Sequence, residues 1–296
     1  MILVTGATGT VGRPLLDLLL DGGAEVRAVT RDPASANLPA AVHTIEGDPA
    51  RPDTIAHALD GVTALFLNPR AVGQGADPGP VTAAATRLLG LARERRVRRV
   101  VALSALNVDH DPADQPSRLR GEYNKEVEAA AAASGLEWTA LRSGYFATNT
   151  IGTWAAQIAA GDTVRGPYAH ASWAPLHERD LAAVAARALL TGDLAGRRPV
   201  LTGPRALTQP RMVELIGAAI GRPLRFEEAP PEAAREGMVR SGMPAALADG
   251  FLRLQERSYL QHDLVSGEVE KILGRPGIPF DQWAAEHATD FRTDAP

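Results

Sequence analysis

The sequence predicts an α/β protein built on a doubly wound parallel sheet, and three observations carry that expectation. Short β-branched runs alternate with amphipathic stretches through residues 1–143. A glycine-rich turn joins the first run to the first helical stretch. After Arg142 the rhythm changes, and from Gln209 onward the chain reads as mostly helical, with Pro and Gly punctuation.

The expected strands are residues 1–5, 24–30, 41–46, 62–68, 98–105 and 136–143. Helical patterns lie between them, notably Val81–Arg96 and Glu122–Ser134. A further helix is expected over residues 148–161 and one more strand over 198–204. These patterns divide the chain into an alternating strand–helix core, 1–143, and a mixed segment, 144–296. The second segment is expected to complete the sheet and form a mainly helical substrate-side lobe that closes a cleft, without a clean linker between the two.

Composition narrows the function classes. The chain has 296 residues, 45% hydrophobic and 22% charged, with a net charge of −4, which argues against nucleic acid or a membrane surface as partner. There are no cysteines, so disulfides, thiolate metal sites and a cysteine nucleophile are excluded and a reducing compartment is expected. The longest apolar runs, such as Leu15–Leu20, are broken by charge and fall short of the roughly 20 residues a membrane helix needs. A strand-like run begins at residue 2 with no basic segment before it, so no secretory leader is expected and a cytoplasmic location is. Oligomeric state is left open between monomer and homodimer.

The glycine turn reads VTGATGTVG, placing Gly6, Gly9 and Gly12 in G-x-x-G-x-x-G spacing. Gly6 permits a sharp exit from the strand, Gly9 lets main-chain N–H groups approach a pyrophosphate, and Gly12 lets the following helix pack closely. The helix N-terminus then favours an anion. Which dinucleotide binds is decided at the end of the second strand. An acid about 20 residues past the glycines would bond a ribose 2′-hydroxyl. Here Arg31 stands at that place, with Asp32 after it. A guanidinium pairs with a 2′-phosphate, so NADP(H) is expected over NAD(H), with Asp32 as the group that would oppose this.

Together with "VTRDP", "EGD", "SGLEWTALRSGYFATN" and "PLHERDLAAVAARALL", the glycine turn resembles the NmrA-like, atypical short-chain dehydrogenase/reductase family. That family includes NADPH-dependent quinone reductases, isoflavone-reductase-like enzymes and a redox-sensing regulator without turnover. The resemblance implies a Rossmann-type fold. It implies Gly6, Thr8, Gly9, Thr10, Val11 and Gly12 as the pyrophosphate loop, and Arg31 as the NADP-selecting position. It places Asp48 on the adenine amino group, with Leu67, Asn68 and Ser104 along the cofactor. "RSGYFATN" is similar to the family's R-P-G-x-F-x-x-N segment, implying that Gly144, Tyr145, Phe146 and Asn149 neighbour the nicotinamide. Ser143 replaces the proline of that pattern.

One departure bears on mechanism. Catalytic members of the wider superfamily carry Tyr-x-x-x-Lys, whose two positions fall here on Arg120 and Asn124. Tyr123 and Lys125 are nearby but two residues apart, hence about 200° apart on a helix, and cannot face one ligand together. Asn124 is retained as a candidate ribose or substrate contact, the alternative being a solvent-facing helix residue.

Tyr168, His170 and Trp173 cluster in a chain only 5% aromatic. They are candidates to line an aromatic substrate pocket, with His170 as a proton donor beside Tyr145; ordinary packing is the competing reading. His177 and Asp180 are expected to cap and orient the next helix, and no metal site is expected. The five arginines of Arg93–Val100 are expected to serve a helix C-terminus and cover apolar surface. No G-x-S-x-G elbow supports a serine hydrolase. The reading is an NADPH-dependent oxidoreductase transferring hydride to a quinone or a conjugated or aromatic carbonyl compound, in detoxification or secondary metabolism. The alternative is a non-catalytic NADP(H)-sensing interaction protein.

Overall fold

Strand β1 (Ile2–Thr5) is buried along its whole length, as expected of a strand covered on both faces. It leads into α1 (Gly12–Asp21), followed by β2 (Val26–Thr30), β3 (His43–Glu46), a 3-10 turn (Pro52–Leu59) and β4 (Ala64–Leu67). Then come α2 (Pro78–Glu94), β5 (Arg99–Ala105), α3 (Pro116–Leu119), α4 (Asn124–Ala133) and β6 (Glu137–Ser143). The rest of the chain supplies α5 (Asn149–Ala160), β7 (Thr163–Gly166), β8 (Ser172–Trp173), α6 (Glu178–Thr191), β9 (Val200–Leu201), β10 (Leu207–Thr208) and α7 (Gln209–Ile220). It ends in β11 (Arg225–Glu228), α8 (Pro231–Arg240), α9 (Ala245–Gln261), α10 (Glu268–Leu273) and α11 (Phe280–Glu286). This computed structural model describes residues 1–261 and 265–292.

Seven strands form one sheet in the order β3-β2-β1-β4-β5-β6-β9. The pairs from β3 through to β6 are parallel, with Ile2 opposite Val26 on one side and Ala64 on the other. The order reverses at β1, so the crevice beyond the carboxyl ends of β1 and β4 is the switch point where ligands bind in such sheets. Leu3, Leu65, Leu67, Val100 and Ala102 share a buried cluster with Val81 and Leu88 of α2 and with Val127 and Ala131 of α4. Helices α1 and α6 pack on each other. The α/β, doubly wound reading therefore holds.

The chain divides into two compact units. The first comprises residues 1–109, 120–143 and 178–200, and the second 110–119, 144–177 and 201–296. In the first, two members of the arginine run make structural contacts. Arg99, almost wholly buried, donates to Glu137 at 2.7 Å and to the Leu189 carbonyl at 2.8 Å, and Arg95 pairs with Asp60.

The second unit holds an aromatic core: Trp154, Trp173, Phe280, Trp283 and Phe291 cluster with Met212, Val213 and Ile216. It also contains four short strands that the sequence reading does not include, of which β11 interrupts the stretch beyond residue 209 read as mostly helical. β11 pairs parallel with β7, and β10 pairs antiparallel with β8. Each of these strands is two to four residues long, too short for a period-2 pattern to emerge. Among the described residues no helix is long and apolar enough to cross a membrane.

Candidate functional site

The glycine turn is built as its spacing predicts. Gly6 leaves β1 with φ +67°, a left-handed conformation that favours glycine. A side chain there would strike Asn68. Gly12 is the tightest of the three, because a Cβ would lie 2.2 Å from the Gly6 carbonyl oxygen and 2.7 Å from Ala7 Cα. Gly9 meets only the Gly6 oxygen, at 3.3 Å. The demands at Gly6 and Gly12 thus come from the chain itself, whereas Gly9 leaves room above the loop. Thr8, Gly9 and Thr10 are exposed, and α1 starts without any side-chain cap on Val11. The exposed residues Thr8, Gly9 and Thr10, leading into a helix whose first turn has no side-chain cap, form a shape that fits a pyrophosphate.

The other cofactor candidates of the first unit stand at neighbouring strand ends. Arg31 follows β2 directly and is exposed. Asp32 is committed elsewhere: its Oδ1 accepts from the Ala34 and Ser35 N–H groups at 3.1 and 3.2 Å. Hydrogen bonds from the Ser35 side chain and main chain hold its carboxyl below the ordinary carboxylate range. Asp48, past β3, accepts from the Ala50 N–H at 3.0 Å and lies 3.3 Å from Arg51. Leu67 is fully buried, so its side chain belongs to the core. Asn68 follows it, its N–H donating to Thr5 Oγ1 at 2.9 Å and its Oδ1 accepting from the Arg70 N–H at 3.0 Å.

Ser104 sits near the end of β5 with only 1% of its surface exposed. Its hydroxyl donates to Glu128 of α4 at 2.6 Å. Glu128 also receives Arg142 and Arg198, each at 2.7 Å. Burial works to raise this carboxyl, but hydrogen bonds from Arg142, Ser104 and Arg198, with the Arg142 charge, outweigh it and hold it below the ordinary range. Of this cluster the sequence points to Ser104 alone, because its members are scattered from residue 104 to residue 198.

Tyr123 and Lys125 are both spent on structure. The Tyr123 phenol is buried and donates to the Gly75 carbonyl at 2.8 Å. Lys125 pairs with Asp109 at 3.3 Å. Asn124 opens α4 as its first residue and is half-buried. Arg120 lies 3.5 Å from Glu122.

In the second unit, Gly144 donates its N–H to the Leu201 carbonyl at 2.8 Å. Tyr145 stacks on Trp173 with ring centroids 5.3 Å apart. Burial pushes its phenol far above the usual tyrosine value, against an opposing hydrogen bond with Thr153. Phe146 bridges to Leu176, and Asn149 is exposed at the start of α5. Trp173 is buried to 7% exposure, in the core cluster. Tyr168 adopts φ +54°, an uncommon backbone for a bulky residue, and buried Gln209 holds its carbonyl at 2.9 Å and that of Pro167 at 2.6 Å. His170 is exposed. His177, 1% exposed, faces Glu286 at 3.3 Å, while Asp180 of the first unit lies buried in the first turn of α6.

A family model described as NAD(P)H-binding matches residues 6–191, from the first glycine through α6. The chain belongs to the NAD(P)H-binding family. Relatives that resemble it over nearly its whole length include named reductases. The chain is 35% identical to the (4-alkanoyl-5-oxo-2,5-dihydrofuran-3-yl)methyl phosphate reductase of Streptomyces griseus, covering 98% of this chain and 99% of that one. It is 31% identical to the NAD(P)H azoreductase of Xenophilus azovorans, again covering 98% and 99%. The fold of the NADPH-dependent quinone oxidoreductase QOR2 of Escherichia coli, solved with NADPH, superposes with a TM-score of 0.79 at 22% identity, covering 97% of this chain and 99% of that one. The chain is accordingly an NAD(P)H-dependent oxidoreductase of this family, as the sequence leads one to expect.

Proposed function

We propose that the enzyme is an NADPH-preferring reductase of quinones or of conjugated or aromatic carbonyl compounds. The observation that carries this reading is the fate of the Tyr123 and Lys125 side chains. With the phenol on a main-chain carbonyl and the ammonium on Asp109, these two side chains do not form a pair that polarises a simple ketone. The acceptors that remain are those whose conjugation already stabilises the added electron pair. Two relatives are named for acceptors of that kind, an oxo-dihydrofuran and an azo compound.

The nicotinamide, when bound, supplies the hydride. The protein's own work is to hold and orient. The uncapped α1 N-terminus and Gly9 take the pyrophosphate, Asp48 the adenine, and Arg31 the 2′-phosphate. Asp32, turned into its own loop, leaves the 2′-hydroxyl without an acid partner, which supports NADPH over NADH. Gly144, Tyr145, Phe146, Asn149, Tyr168 and Trp173 are assigned to the nicotinamide and acceptor side. Tyr145, kept protonated by burial, and His170 are the proton donors in this assignment, with Asn124 as an orienting group. The substrate is a small molecule, and the absence of cysteine suits a reducing cytoplasm.

The test is NADPH oxidation by the purified enzyme with a benzoquinone, an azo dye and an isolated aliphatic ketone. Turnover with a conjugated acceptor and none with the ketone is expected. Equal turnover of the ketone would overturn the assignment, and tight NADPH binding without turnover of any acceptor would favour the sensing role.

A further inference from the structure

We infer that Arg13 is a positioning residue for cofactor choice: its guanidinium fastens the loop after β2, which begins with Arg31, to the glycine loop. This rests on the NADPH preference proposed above and deepens it. Arg13 is the second residue of α1, immediately after the glycine that packs against Gly6. Its side chain reaches out of the helix to three main-chain carbonyls. Nε donates to Thr8 at 3.2 Å, Nη1 to Asn37 at 3.0 Å and Nη2 to Ala36 at 3.0 Å. The first belongs to the glycine turn, and the other two lie 24 and 23 residues away in sequence.

The loop from 31 to 37 has no strand or helix of its own to hold it. It is instead fixed at both ends. Near its start, Asp32 receives the Ala34 and Ser35 N–H groups. At its far end, Asn37 stands at φ +47°, a left-handed conformation that asparagine adopts more readily than most residues with a Cβ, and Arg13 holds its carbonyl. A 2′-phosphate and a pyrophosphate belong to one ligand, so their protein partners bind it best when their separation is set beforehand. The planar fork of Arg13 can set it, because it presents several donors at once in fixed directions. A lysine in its place would bring the charge but not the fork.

The experiment is calorimetric titration of the whole protein with NADPH and with NADH, for Arg13→Ala, Arg13→Lys, Arg31→Ala and the double alanine variant, each with a thermal melt. Arg13→Ala is expected to weaken NADPH binding about tenfold and NADH binding less than about threefold. Lysine should not restore it, and alanine at 13 should make no further difference once Arg31 is gone. Equal loss for both nucleotides would show a general buttress and overturn the inference. Rescue by lysine, or full additivity with Arg31→Ala, would mean that Arg13 meets the phosphate itself and overturn it too. If Arg31→Ala weakens both nucleotides alike, the 2′-phosphate reading falls and this role of Arg13 falls with it. An NADPH-selective loss at 31 beside an unselective one at 13 overturns the Arg13 inference alone. Should the alanine variant fail to fold, Arg13→Gln, with a single amide donor group, carries the same comparison.

Discussion

In the first unit the groups assigned to the nucleotide are main-chain N–H groups of a glycine turn and side chains that stand at strand ends. In the second, the assigned groups are aromatic side chains embedded in packing, with Tyr145 stacked on Trp173 and Trp173 in one cluster with Trp283 and Met212. The first assignment rests on backbone shape, which requires glycine at fixed spacing. The second assignment rests on side chains from residues 144–173, some of them packed against distant ones such as Met212 and Trp283, and many side chains would serve. A cofactor common to a whole family suits the first construction, and an acceptor that differs among relatives suits the second.

The largest effects should separate the glycines that serve the fold from the one that serves the ligand. Gly12→Val forces a side chain into the Gly6 carbonyl and should cost about 3 kcal/mol or more along with binding of both nucleotides. Gly9→Val, whose Cβ would sit 3.3 Å from the Gly6 carbonyl oxygen, should lower the melting temperature less than Gly12→Val and still abolish both. If the two variants melt alike, the distinction is wrong.

Glu128→Ala comes next, since it leaves Arg142 and Arg198 facing a gap in the Ser104 cluster. A loss of about 1–3 kcal/mol in denaturant unfolding is expected, below that of a fully buried pair because Arg198 is part-exposed and Arg142 keeps Asp109. The pH dependence has a definite sign. Because the folded carboxyl titrates below the ordinary glutamate value, its stabilisation is complete above that ordinary value and is lost as pH falls through the lower, folded one. Glu128→Gln should therefore lose acid sensitivity in that window. An unchanged acid limb would show that the cluster does not contribute.

Arg31→Ala should weaken NADPH by roughly ten- to a hundredfold, the worth of charge-assisted hydrogen bonds, with little change for NADH. Equal loss would refute the 2′-phosphate assignment. Smallest of all, Tyr123→Phe should cost about 1 kcal/mol, one hydrogen bond to Gly75, and keep turnover. A collapse of kcat with NADPH binding intact would restore Tyr123 to the chemistry.

The strand–helix alternation, the parallel sheet and the roles of Gly6 and Gly12 were legible in the chain because each depends on local periodicity or on backbone conformations that few residues adopt. Arg31 was legible as a position, being tied to the end of a strand. What only the tertiary structure decided were contacts of long sequence separation: Asp32's turn aside is local, but Arg13 reaching Asn37, Glu128 gathering Ser104, Arg142 and Arg198, and Gln209 holding Tyr168 leave no pattern in sequence. A hydrogen bond across many residues needs only a donor and an acceptor brought together by the fold, and polar side chains are too common for their pairing to be read in advance.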